Sequence, residues 1–157
     1  MISYIIMLLL LMAVSVGFAF AAPRNPTPII QLHPPVPNLN NEDCIEMVRI
    51  VENWDGYSTG RNTEEGPYQI KRSTWRQYSK LPHWLCLDRR DPELQRVMLL
   101  IARDIRREMK RQGLPDSPYY FALIYNAGAR TVLEARTTPD QRYYAERAQN
   151  IFDVLLR

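Results

Sequence analysis

The stretch from Asp91 to Gly113 constrains the fold more than any other. Leu94, Val97, Met98, Ile101, Ile105 and Met109 recur every three or four residues, which places them on one stripe of an α-helix. Asp91 is a good N-cap, Pro92 fits the first helical position, and Glu93 suits the first turn. Gly113 marks the end. A helix of this length with an apolar stripe needs a core to lie on, so the rest of the chain must supply its partners. Arg96, Arg103, Arg106, Arg107, Lys110 and Arg111 occupy mostly the other face. That face reads as solvated, with a role against a polyanionic wall as the alternative.

Three further segments read as partner helices. Asn41 is a plausible N-cap, with Glu42 and Asp43 where the helix dipole favours anions, and Ile45, Val48 and Val51 follow the helical period. Ser117-Pro118 opens a helix that is apolar at Phe121, Leu123 and Ile124 and stops at Gly128. Thr138-Pro139-Asp140-Gln141 has the form of a capping box before a final helix carrying Tyr144, Ala148, Ile151, Val154 and Leu155. A short helix over Ser73–Ser79 carries Trp75 and Tyr78. Asp55-Gly56 is a turn signal that ends the first helix near Asn53–Gly56, and residues 57–70 read as irregular or hairpin-like. The class expected is therefore mainly α, with four or more helices and a small irregular or short β-hairpin lobe.

Residues 1–21 have the form of a secretory signal peptide. The apolar run from Ile5 to Val14 is short for a membrane span and leads to Ala19-Phe20-Ala21, a small-x-small cleavage pattern. An uncleaved anchor is the alternative. Residues 22–40 form a proline-rich arm holding Pro23, Pro26, Pro28, Pro34, Pro35 and Pro37. Residues 41–157 then suit one domain, secreted and extracellular, and a monomer with no stable membrane insertion once the signal is removed. The net charge of +3 and pI near 9.0 suit attraction to anionic walls. No dense basic run is interleaved with aromatics, so nucleic acid is not an expected partner.

Cys44 and Cys86 are the two cysteines. An oxidising compartment and an even count favour one disulfide, closing a loop of about 43 residues at roughly 4 kcal/mol; two buried thiols are the alternative. With only His33 and His83 and no zinc-ligand spacing, no metal and no cofactor are expected.

The chemistry concentrates between Glu52 and Ile70. Glu52 falls in the last turn of the first helix, where the dipole disfavours an anion, and this pushes its pKa upward. Glu64 and Glu65 follow, and then Gly66-Pro-Tyr-Gln-Ile-Lys71. Two acids in unlike surroundings are what cleavage of a glycosidic bond needs: one keeps its proton, and the other stabilises the cation or directs a water. Trp54, Trp75 and Trp84 are either sugar-stacking platforms or core. His83, next to Trp84, reads as a surface residue.

Gly66-Pro-Tyr-Gln-Ile-Lys71 with Trp75 four residues on resembles the invertebrate-type lysozymes. Ala122-Leu-Ile-Tyr-Asn-Ala-Gly128, followed by Arg142-Tyr-Tyr-Ala-Glu-Arg147, resembles late motifs of goose-type lysozymes and soluble lytic transglycosylases. The resemblance spans roughly Cys44 to Leu155. It implies a lysozyme-like fold acting on peptidoglycan or a related amino-sugar glycan. Glu52 would be the catalytic acid and Glu64 or Glu65 the second carboxylate, with Glu64 the first choice. Gly66, Tyr68 and Gln69 would line the cleft, and Tyr125 and Asn126 would support Glu52 and the substrate. The chain departs from the invertebrate-type pattern, which has a Cys where Glu65 stands and a loop Asp that is missing between Gly56 and Gly66. Three functions follow from the resemblance: a lysozyme that hydrolyses the MurNAc–GlcNAc β-1,4 bond, a lytic transglycosylase that leaves 1,6-anhydro ends, or an inactive glycan-binding relative.

Overall fold

The computed structural model describes residues 35–52 and 64–155. The signal peptide, most of the proline-rich arm, Trp54 and the Asp55-Gly56 turn lie outside the described residues. Among the described residues the protein is mainly helical. α1 runs Asn41–Glu52, α2 Arg72–Tyr78, α3 Pro92–Arg111, α4 Pro118–Ala127, α5 Ala129–Leu133 and α6 Pro139–Leu155. β1 (Glu64–Glu65) and β2 (Ile70–Lys71) form a small antiparallel hairpin, with Glu64 opposite Lys71 and Glu65 opposite Ile70. A 3-10 turn covers His83–Leu85. Among the described residues no helix is long and apolar enough to cross a membrane.

Local signals set the helix ends. Asp91 accepts hydrogen bonds from the N–H groups of Glu93 at 2.8 Å and Leu94 at 3.1 Å, which caps α3. At the other end Leu114 N–H donates to Met109 O and Gly113 N–H to Lys110 O, a Schellman closure. The capping box before α6 is complete: Thr138 N–H donates to Gln141 Oε1 at 2.9 Å and Gln141 N–H to Thr138 Oγ1 at 3.3 Å. The first helix is capped one residue earlier than expected. Asn40, not Asn41, accepts from Asp43 N–H at 2.7 Å and donates to the Asp43 carboxylate at 2.8 Å.

α4 is the centre of the core. Every side chain from Pro118 to Ile124 is buried, and α1, α3, α5 and α6 all pack against it. α1 contributes Cys44, Met47, Val48 and Val51, and α3 contributes Leu94, Val97, Met98, Ile101, Ala102 and Met109. From α6 come Ala145, Ala148 and Phe152. Val154 and Leu155 continue the helical period beyond the edge of the core and are exposed.

The disulfide expectation is corrected. Cys44 and Cys86 are both buried free thiols. Arg106, near the end of α3, donates to Asn41 Oδ1 at 3.2 Å at the start of α1, one turn before Cys44, whereas Cys86 precedes Asp91, the cap of α3, by five residues. Fifteen helical residues separate those two positions, about 22 Å. A disulfide needs Cα atoms within about 7 Å. Burial pushes the Cys44 thiol up to about 12, so it stays protonated and unreactive.

Candidate active site

A groove of about 820 Å³ runs between the hairpin and the helical body. Glu52 lines it from the end of α1, Glu64 and Gln69 from the hairpin, and Tyr125 and Asn126 from the end of α4. Five of the seven residues expected at the site therefore meet in one cavity. Ile101, Ile105 and Ile124 give it an apolar stretch, while Thr74, Gln77 and Gln141 add polar groups. Its size falls within the usual range for ligand sites, about 300–1,000 Å³.

Glu52 is half-buried. Desolvation raises its pKa most, and the nearby Glu64 carboxylate raises it further. Two groups pull the other way: Tyr144 Oη donates a hydrogen bond to Glu52 Oε1 at 2.8 Å, and Arg147 adds its positive charge. Burial dominates, so the carboxyl keeps its proton to a higher pH than an ordinary Glu. Tyr144 is itself held far above the usual phenol value by burial and by Glu52, which keeps it a donor. Arg147 also donates to Val51 O at 3.2 Å, tying α6 to the end of α1.

Strand alternation separates the two hairpin acids. Successive side chains on a strand point to opposite faces. Glu64 therefore faces the groove, with Lys71 Nζ 3.8 Å from its Oε1. Glu65 turns inward, where it pairs with Arg72 and lies 3.5 Å from His83 Nδ1. Glu65 is thus a structural acid and not the second carboxylate of the groove. His83 corrects the surface assignment: it is 5% exposed and stacks on Trp75 at 4.5 Å. Burial holds its pKa below the usual imidazole value. Trp75, at 1% exposed, is core and not a sugar platform.

Gly66 and Tyr68 also depart from expectation, because neither lines the groove. Gly66-Pro67-Tyr68-Gln69 is a β-turn in which Gln69 N–H donates to Gly66 O at 2.9 Å, with Pro67 at its favoured second position. Gly66 has φ +81°, and a Cβ there would stand 3.3 Å from Leu87 Cδ2, so only glycine fits without strain. Tyr68 is buried, and its carbonyl accepts from Tyr125 Oη at 2.5 Å. The Tyr125 ring borders the groove while its hydroxyl pins the hairpin to α4. Gln69 is placed by this turn, with its own backbone at φ +46°.

Sequence reasoning missed the role of Tyr144. The helical period read it as a packing residue, and only the fold brings its phenol to Glu52. Tyr144→Phe is expected to free the Glu52 carboxyl to rotate, at roughly 1–1.5 kcal/mol for one hydrogen bond. The lost bond favours the charged carboxylate, so its removal raises the Glu52 pKa further. The Glu52 titration, followed by NMR, should then move upward, and an unmoved titration would dissociate Tyr144 from Glu52.

At the far end of α4, Gly128 has φ +83° and ψ +144°, a conformation open essentially to glycine alone. It lets α5 start directly after α4, and Gly128 itself lines the groove. No protein-family model matches the chain, and no curated protein and no solved structure matches it.

Proposed function

We propose that the protein is a secreted peptidoglycan hydrolase with a lysozyme-like fold, cleaving the β-1,4 bond between MurNAc and GlcNAc. The observation that carries the reading is the placement of two unlike carboxyls, Glu52 and Glu64, on one groove. Glu52 donates its proton to the glycosidic oxygen as the leaving sugar departs. Glu64 stabilises the oxocarbenium-like sugar or directs a water to it. The amides of Gln69, Gln77, Asn126 and Gln141 suit the hydroxyl and acetamido groups of amino sugars, and the isoleucines suit their apolar faces.

A second reading draws on one observation. The Lys71 ammonium lies 3.8 Å from Glu64 and offsets its charge, leaving Glu52 as the dominant acid of the groove. A lytic transglycosylase needs only that acid, because the 6-hydroxyl of the sugar takes the place of water. Incubation with purified peptidoglycan followed by mass spectrometry of the soluble fragments decides between the two. Reducing-end products are expected. Fragments lighter by one water would select the transglycosylase, and saturable binding with no released fragment would leave a glycan-binding protein and remove the enzyme.

A further inference from the structure

We propose that the tip Leu81–Leu85, with the basic cleft beside it, docks the protein on an anionic phospholipid bilayer. Three large apolar side chains stand out within five residues: Leu81 is 50% exposed, Trp84 66% and Leu85 55%. Their exposure is built into the fold. The His83 ring between them turns inward to stack on Trp75, whose indole N–H donates to Leu81 O at 2.6 Å. Leu85 N–H donates to Pro82 O and Cys86 N–H to His83 O, which closes the turn. The buried face thus clamps the tip in place and directs Trp84 and Leu85 outward.

Beside the tip lies a cleft of about 360 Å³, walled by Arg72, Arg76 and Lys80 and reaching Trp84. Arg72 is engaged by Glu65. Arg76 and Lys80 are exposed and form no ion pair among the described residues. From Arg72 to Arg96 the sequence holds six Arg or Lys against three Asp or Glu. Apolar side chains flanked by unpaired cations complement a surface of phosphate headgroups over acyl chains. A folded protein partner fits less well, because a specific protein interface takes about 800 Å² from each side and this tip offers a few residues. A bilayer makes no such demand, since it closes around whatever inserts. None of the tip residues lines the groove, so the docking stands or falls independently of the glycosidase reading.

Co-sedimentation with vesicles of phosphatidylcholine, with and without phosphatidylglycerol, tests the proposal. The protein should bind the phosphatidylglycerol vesicles, release with added salt, and leave phosphatidylcholine alone unbound. Trp84→Ser should weaken binding about tenfold, by loss of the inserted aromatic. Arg76→Ser and Lys80→Ser should each weaken it about fivefold. All three positions are exposed, so the urea-unfolding midpoint should stay unchanged. Undiminished binding by Trp84→Ser would overturn the proposal, as would competition by soluble inorganic phosphate as effective as by vesicles. Absence of vesicle binding alongside capture of a protein partner at the tip would overturn it equally.

Discussion

Glu52→Gln is expected to lower glycan cleavage by about 10²–10⁴-fold, the share that a placed general acid supplies. The variant keeps the shape of the side chain, and its amide oxygen still accepts from Tyr144 Oη, which bonds Glu52 Oε1 at 2.8 Å in the native protein. It lacks only the transferable proton. The same substitution should leave the protein at least as stable near neutral pH. Burial and Glu64 hold the folded carboxyl above its ordinary value, so the folded state retains a proton that the unfolded chain has already lost. The stability contributed by this group is fully present below the unfolded pKa and is lost as pH rises through the folded pKa. Glu52→Gln removes that slope. Melting temperatures of the two proteins should therefore diverge in favour of the variant as pH climbs through the raised value. Activity of the native protein should fall across the same window, because a deprotonated Glu52 cannot donate. Clearing of a wall suspension by the variant at the native rate would take Glu52 out of the chemistry.

What the sequence made legible was mostly local. Asp91-Pro92, Ser117-Pro118 and Thr138-Pro139-Asp140-Gln141 act within one helical turn, so their chemistry shows without knowledge of the fold, and all three open helices as read. Asn40 and Asn41 are chemically identical neighbours, so only the backbone geometry decides which one caps. Glu52 was legible because a helix end is itself a local feature. The choice between Glu64 and Glu65 was not, since a two-residue strand is too short to display its alternation. The burial of His83 depends on Trp75, eight residues earlier and on another element, and no periodicity links them. The two cysteines stay free thiols, Cys44 on the helix whose start meets Arg106 near the end of α3 and Cys86 just before the α3 cap, an arrangement that cysteine counting cannot reveal. Tyr144 lies ninety-two positions after the acid it supports, a contact made only when α6 packs on α1.

Trp75→Ala is expected to destabilise the protein by about 3–5 kcal/mol, the usual cost of truncating a large buried aromatic. For a domain of this size that lowers the melting temperature by about 10–20 °C. The indole does three things at once. It fills core space at 1% exposure, it stacks on His83 at 4.5 Å, and its N–H donates to Leu81 O at 2.6 Å. Its loss leaves a cavity, strips the apolar cover from a buried imidazole and orphans a carbonyl. Trp75→Phe separates these contributions: it keeps a ring over His83 and loses the donor, so about 1–2 kcal/mol should remain. The effect should reach the groove as well, because α2 carries Trp75 on one face and Thr74, Gln77 and Tyr78 on the groove wall. Trp75→Ala should then lose stability and turnover together, whereas Glu52→Gln loses turnover alone. Urea denaturation beside a cleavage assay on the same preparations reads both, and a Trp75→Ala protein that unfolds at the native midpoint would refute the part assigned to this side chain.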